Sequence, residues 1–269
     1  MICGNMDFED YKAHDGINAS AIKAGRTSML HMHHYITEPQ DEPTPAMIWG
    51  SIVHLAVLEP ERMADEIETW SESKRTKAYK EFKEANAGKY IISDKERDDL
   101  DAMTEAVHAH PEAAMILADT QKEVSILWEN NAGKCKARID ALDGSMICDL
   151  KTTSAIHPAQ FQSQAFKLGY FEQMGWYAAG YETEFGHMPD AYIIAIENKA
   201  PFDVVVHEIS ASALRYGRNE AEKIAKLYQI TAATGCTFTG TCDHIQTLNL
   251  PEWVEVDVST GIATKGMKL

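Results

Sequence analysis

Two aspartates and a lysine carry the most chemistry in this sequence: Asp140, Asp149 and Lys151. Asp149 and Lys151 are two residues apart, so on a strand they project from one face. Carboxylates converging beside a lysine make a hard-oxygen site suited to Mg2+. The lysine can orient a water or stabilise charge developing on a phosphate. The spacing D-x-K alone is very common, and an Asp and a Lys at a strand end usually form a solvated ion pair. Neighbouring residues raise its interest. Glu123 opens the preceding strand and offers a third carboxylate. His54 follows Gly50 by four residues on an otherwise apolar helix, where a histidine is more often a satisfied edge residue than a ligand. Gln173 and Tyr177 are spaced i, i+4 and share one helix face. Their ordinary alternative is that Tyr177 packs on the sheet and Gln173 bonds to a loop.

The elements that must position these residues follow from period and punctuation. Glu123–Glu129, Lys134–Leu142 and Ser145–Lys151 are short runs suited to strands. Asn130-Asn131-Ala132-Gly133 joins the first two. Asp143-Gly144 joins the second and third, a two-residue hairpin signal in which both positions tolerate positive φ. This predicts an antiparallel three-strand meander with Asp140 and Asp149 on neighbouring strands. A helix from about Pro158 to Tyr181 follows, with Pro158 suited to a first turn. Two apolar strands, Ala191–Glu197 and Asp203–Ile209, precede a helix from about Ser212 to Ala232. Upstream, helices are predicted from Asn18 or Ser20 to about Tyr35, from Met47 to Leu58, and from Ser93 to about Leu117. The last opens on a capping-box spacing of Ser93 and Glu96. Residues 37–45 hold three prolines and are the nearest thing to a linker. The order predicts an α/β core, a mixed central sheet flanked by helices, with an N-terminal helical elaboration. One domain over residues 1–269 is the economical organisation, mainly helical over 1–118 with the core over 119–269.

The chain has 269 residues, with 25 Lys+Arg against 41 Asp+Glu, so its formal charge is −16. Spread over a whole surface, that argues against a partner as anionic as DNA. Hydrophobic residues at 45% and charged residues at 25% exclude a disordered or fibrous chain. No apolar run approaches the ~20 residues of a bilayer span, and residues 1–15 hold no signal-peptide core, so a cytoplasmic protein with no membrane association is expected. Cys3, Cys135, Cys148, Cys236 and Cys242 are odd in number and scattered, which gives no disulfide framework. Without a C-x-x-C they offer no four-thiolate cluster site either. His31, His33 and His34 crowd one helix, but no Cys or carboxylate completes a ligand set beside them. No P-loop, G-x-G-x-x-G or nucleophile elbow supports ATP use or serine-hydrolase chemistry. The polar stretch 71–89 holds Lys74, Arg75, Lys77, Lys80 and Lys83, either a solvated face or a phosphate-contacting patch.

Taken in order, Gly50-x-x-x-His54, Asp140, Asp149-Leu150-Lys151 and Gln173-x-x-x-Tyr177 resemble the signature of RecB-type nucleases in the PD-(D/E)XK superfamily. Trp49–His54 running into Val57-Leu58-Glu59-Pro60, Cys135–Asp140, Asp149–Thr153 and Leu248–Trp253 look like RecE-type exonucleases (exonuclease VIII). The likeness runs from about Asn18 to Trp253. It departs from the pattern at Ile139-Asp140, where the superfamily has Pro-Asp, and at Asp149, where many members have Glu.

The resemblance implies a restriction-endonuclease-like core and a Mg2+-dependent exodeoxyribonuclease, Mn2+ substituting. Such an enzyme degrades one strand of linear duplex DNA from its 5′ end and leaves a 3′ tail for recombination by annealing. It also implies that Asp140 and Asp149 hold the metal with the Leu150 carbonyl, that His54 completes or supports the site, and that Glu123 adds carboxylate character. Lys151 would position or help deprotonate the attacking water, with Gln173 and Tyr177 holding Lys151 and the terminal nucleotide in register. Lys74, Arg75, Lys77 and Arg138 are the residues assigned to DNA. The implied partners are duplex ends, further copies of the chain in a ring, and a RecT-like single-strand annealing protein, in a bacterial host or encoded by a phage or prophage. An endonuclease or repair nuclease of other polarity, and a non-catalytic DNA-end-binding module, are the alternative readings. On any DNA reading the excess acidity must lie away from the duplex, which predicts a basic, metal-containing cleft inside an acidic exterior.

Overall fold

Capping residues and helix breakers set most element boundaries in the computed structural model, which describes residues 2–3, 6–39, 42–249, 255–256 and 263–265. The N-terminal part runs β1 (Ile2–Cys3), α1 (Phe8–Ala13), α2 (Ala19–Thr27), α3 (Met29–Thr37), α4 (Pro45–Leu58), a 3-10 turn (Pro60–Arg62) and α5 (Met63–Glu66). It continues through β2 (Ile67–Thr69), α6 (Lys77–Ala85), β3 (Tyr90–Ile92), α7 (Asp94–Ala109) and α8 (Pro111–Ala118). Next come β4 (Gln121–Asn130), β5 (Gly133–Leu142), β6 (Met146–Thr153), α9 (Pro158–Leu168), α10 (Tyr170–Phe185), β7 (Asp190–Glu197), β8 (Val204–Glu208) and α11 (Ala211–Thr234). A last pair, β9 (Glu255–Val256) and β10 (Ala263–Lys265), is antiparallel. Leu250–Trp253, the end of the sequence resemblance, lies outside the described residues.

Three stretches predicted as single helices are each two. The first breaks at Ser28, whose hydroxyl accepts the His31 amide at 3.2 Å and so caps α3. The second breaks before Pro111, which cannot donate to the helix behind it. The third breaks at Gly169, which takes φ +79 and ends α9 in the left-handed conformation. The hairpin signal was right in place and wrong in mechanism. Gly144 does not take a positive φ; instead Asp143 Oδ1 accepts the amides of Ser145 (2.6 Å) and Met146 (2.8 Å). Helix α6 and the three-residue parallel pair β2/β3 were not anticipated, being too short or too polar for a periodic signal.

The sheet order is β1-β4-β5-β6-β7-β8. Strands β4, β5 and β6 form the predicted antiparallel meander, and β7 is parallel to β6, so α9 and α10 serve as the crossover. Side-chain alternation feeds two cores. Ile147 and Ile193 face Met174, Trp176, Ile22 and Leu214, from α10, α2 and α11. Cys148, Leu150 and Ile194 face Val53, Leu100 and Ile116, from α4, α7 and α8. A mixed α/β sheet covered by helices on both faces is the result. Among the described residues no helix is long and apolar enough to cross a membrane.

Helices α10 and α11 touch backbone to backbone at Gly175 and Gly217. A Cβ on Gly175 would overlap the Arg218 amide, and one on Gly217 the Phe171 carbonyl. Gly175→Ala is therefore expected to destabilise the chain by about 3 kcal/mol, visible as a lower thermal-unfolding midpoint. An unchanged midpoint would show that the helix pair can part without cost.

Candidate active site

Asp140 stands where the sheet forks. Strands β5 and β6 pair only at Ala141↔Cys148 and Leu142↔Ile147. One residue further the Asp140 side chain takes over from the backbone, its Oδ2 accepting the Leu150 amide at 2.7 Å. Face alternation slips at the same point. Ala137 and Ile139 face the α10 core, yet Ala141 faces the α4 core and Leu142 returns to the first. Across the β4–β5 ladder, Lys122↔Ala141 and Val124↔Ile139 put Glu123 opposite Asp140. Glu123 has φ +52, a left-handed conformation that costs a non-glycine residue of order 1–3 kcal/mol and clusters at functional sites. The irregularity delivers two carboxylates to one point.

His54 reaches this point from α4. Its Nε2 donates to the Leu150 carbonyl at 2.7 Å, which sets the tautomer and leaves Nδ1 facing Asp140 Oδ2 at 3.4 Å. One ligand atom each from His54, Glu123 and Asp140 lie within 4.8 Å of one another. Asp149 is committed elsewhere. Its Oδ2 lies 2.6 Å from Lys151 Nζ, and its Oδ1 accepts from Gln173 Nε2 at 2.8 Å. Gln173 Nε2 is also 2.8 Å from the Tyr177 hydroxyl, to which it donates. The parallel β6–β7 connection explains this, because it lays α10 across the face that Asp149 and Lys151 share. Lys151 also sits over the Tyr170 ring, 5.1 Å from its centroid.

The electrostatics are those of crowded like charges. Burial raises the Asp140 carboxyl, and Asp149 raises it further. Burial and then Asp140 push Glu123 up to about 7, although Arg138 donates to it at 2.7 Å. Burial lowers His54, and the Lys151 charge lowers it more. For Lys151 burial acts downward, but Asp149 and Asp140 outweigh it and the ammonium is held above its ordinary value.

Residues 19–251 match the sequence profile of the PDDEXK-like domain of unknown function (DUF3799). The chain belongs to this family. No curated protein matches it in sequence. Among solved structures it is similar to a candidate exonuclease from Eubacterium rectale, with a TM-score of 0.65 and 16% identity over 92% of this chain and 96% of that one. A phage-related exonuclease from Haemophilus somnus 129PT gives a TM-score of 0.38 and 13% identity over 83% and 97%. At 16% identity the first likeness is one of fold.

In this PDDEXK-like domain the donor set fits a divalent cation. Two carboxylates, a backbone carbonyl and a neutral imidazole converge, and burial and mutual repulsion make the carboxylates hold protons more tightly than usual, Arg138 and Lys151 offsetting this only in part. Among the described residues one other trio could ligate, Cys242, Asp243 and His244, but these are consecutive and exposed. The histidine-rich helix is accounted for without metal: His31 Nδ1 pairs with Ser28 Oγ at 2.7 Å and His33 stacks on Phe238 at 3.9 Å.

The site opens into a cleft of about 1140 Å³. Lys12, Lys23, Arg62, Lys136, Arg138 and Lys151 share its lining with Asp15, Glu38, Glu59, Glu66, Glu123 and Asp140. The cleft is thus balanced, where a basic one was expected, because its cations are used at home: Arg62 on Glu59 and Glu66, Arg138 on Glu123. It still carries none of the chain's net −16. Arg138 is brought to the site. Lys74, Arg75 and Lys77 are not: they are exposed, outside the cleft lining, with Lys77 facing Glu81 at 3.4 Å. Helix α6 beside them is held by Tyr79 and Phe82 packing on Trp70.

Gln173 links α10 to Asp149 and so to Lys151. Gln173→Leu is expected to lower the catalytic rate about tenfold with a small change in unfolding midpoint, as for other groups that orient a site residue. Steady-state cleavage rates of parent and variant check this; equal rates would reduce Gln173 to packing.

Proposed function

We propose that the protein is a Mg2+-dependent exodeoxyribonuclease that degrades one strand of linear duplex DNA in the 5′-to-3′ direction and leaves a 3′ single-strand tail. The observation that carries this is the convergence of His54, Glu123 and Asp140 at the sheet fork, with the Lys151–Asp149 pair beside them in one cleft. Glu123, Asp140, His54 and the Leu150 carbonyl would hold the cation, with Asp149 within the same crowd of charge. Bound there, Mg2+ supplies charge neutralisation of a phosphodiester and lowers the pKa of a water. Lys151 orients that water and meets negative charge developing on phosphorus-bound oxygen, its ammonium kept protonated by Asp149. Gln173 and Tyr177 keep Asp149, and through it Lys151, in place. Arg138, with the exposed Lys74, Arg75 and Lys77, serves the DNA backbone in this proposal.

The direction of degradation, the recombination role, a ring of several copies, a RecT-like annealing partner and a cytoplasmic setting all rest on the resemblance of the quoted segments to RecE-type exonucleases, supported by family membership and by the fold likeness to an exonuclease candidate. The test is digestion of linear duplex labelled at the 5′ or the 3′ end, beside closed circular duplex, with Mg2+, Mn2+ or EDTA. Early release of the 5′ label, an intact circle and no reaction in EDTA are expected. Cutting of the circle would make the protein an endonuclease, and early release of the 3′ label would reverse the polarity.

A further inference from the structure

Residues 6–16 precede the stretch matched by the family profile, yet they form one side of the cleft, with Phe8, Tyr11, Lys12 and His14 in its lining. Their attachment is unusual. Lys136 on β5 is buried, 5% exposed, and no carboxylate lies within 4 Å of it among the described residues. Its ammonium donates to three carbonyls at the C-terminal end of α1: Tyr11 (3.0 Å), Lys12 (3.1 Å) and His14 (2.6 Å). All three of its protons are used, and the negative end of the short helix stands in for a counter-ion. The Tyr11 ring lies 4.9 Å from the same ammonium. Two residues along, Arg138 donates to the Met6 carbonyl at 2.9 Å while its Nε donates to Glu123 at 2.7 Å. Two residues further stands Asp140. A buried ammonium is tolerated only when it is fully hydrogen-bonded, and here all three acceptors belong to residues 6–16.

We propose, on the basis of the nuclease reading above, that residues 6–16 are a working wall of the catalytic cleft and that Lys136 is a positioning residue: by clamping α1 it keeps Arg138 on Glu123 and holds the wall against the bound strand. The alternate residues Lys136, Arg138 and Asp140 of β5 then connect wall, carboxylate and metal group along one strand. Loosening the clamp weakens both cation binding and DNA binding while leaving Lys151 and Asp149 where they are.

Lys136→Met, which keeps the chain length and loses the donors, tests this in the full-length protein. Three readouts are compared with the parent: tryptic cleavage after Lys12, Mn2+ binding by calorimetry, and steady-state cleavage of linear duplex. Tryptic cleavage is expected to quicken, Mn2+ affinity to fall about tenfold, and KM for DNA to rise more than kcat falls. Tyr11→Ala loosens the same wall from its other side and is expected to give the same pattern, so it decides the matter if Lys136→Met fails to fold. Faster tryptic cleavage with unchanged Mn2+ affinity and KM would overturn the inference and leave the segment as packing. Unchanged tryptic cleavage in both variants would overturn the clamp itself. A parent that cuts no DNA would instead sink the nuclease reading, while the tryptic and Mn2+ readouts still decide the role of the wall.

Discussion

Lys151→Ala is expected to reduce the rate of duplex digestion by about a thousandfold, the scale of removing a preorganised charge from a phosphoryl-transfer site. The same substitution should also unfold the protein more easily. Lys151 Nζ lies 2.6 Å from Asp149 Oδ2, and Asp149 is 1% exposed, so the variant strands a buried carboxylate. Breaking such a pair from one side costs about 3–5 kcal/mol. The sign against pH is definite. Lys151 is held above its ordinary pKa, so the pair's contribution is fully present below about 10 and is lost only as pH rises through the higher folded value. Neutral pH therefore exposes the whole effect. Adding Asp149→Asn removes the stranded charge, and the carboxamide oxygen it introduces can still accept from Gln173. The double variant should recover most of the unfolding midpoint while remaining inactive. Thermal unfolding beside a linear-duplex assay separates the two effects. Parent-like digestion by Lys151→Ala would remove Lys151 from the chemistry, and recovery of activity with stability would make its role purely structural.

The placement of Asp140 and Asp149 was legible in the sequence because β4, β5 and β6 are apolar runs joined by strong turn signals. Asp140 and Asp149 fall on neighbouring strands as the hairpin required, and Gln173 and Tyr177 do share a helix face and a hydrogen bond. The division of labour was less legible. The sequence pattern treats Asp140 and Asp149 as equivalent metal carboxylates, whereas the trio of close ligand atoms comprises His54, Glu123 and Asp140, with Asp149 tied to Lys151 and Gln173. That assignment depends on the fork between β5 and β6 and on the left-handed Glu123, neither of which has a compositional signature. The role of α1 was invisible for a different reason. Six residues carry no helical period, and Lys136 looks like one more polar residue on an alternating strand until its three carbonyl partners are seen. A lysine surrounded by apolar residues at Cys135 and Ala137 was the available hint. The helix splits at Ser28, Pro111 and Gly169 were readable, since each is a cap or breaker, but apolar period ran across all three and outweighed them.

Asp140→Asn should stabilise the metal-free protein and remove most of the stabilisation that metal gives. In the metal-free protein the Asp140 carboxyl is raised by burial and by Asp149, so the folded state holds a proton that the unfolded chain releases. Ionised Asp140 therefore costs stability, beginning above the unfolded value near pH 4 and growing as pH rises toward the folded value. Asparagine is neutral throughout, and its Oδ1 can still accept the Leu150 amide that Asp140 Oδ2 accepts at 2.7 Å. Without metal at pH 7 the variant should unfold several degrees above the parent, and the gap should shrink as pH falls toward 4. Added Mg2+ reverses the ranking. At a hundred times its dissociation constant a cation stabilises the parent by about 2.7 kcal/mol, whereas the variant, short of one anionic ligand, gains little. Digestion of linear duplex should fall with that lost binding, by about a hundredfold or more at fixed Mg2+. Unfolding midpoints in EDTA and in Mg2+, at pH 7 and pH 5, read all of this in one set of scans. If Mg2+ raised both midpoints equally, the cation would be held without Asp140, and the assignment of the His54, Glu123 and Asp140 group as its site would fail.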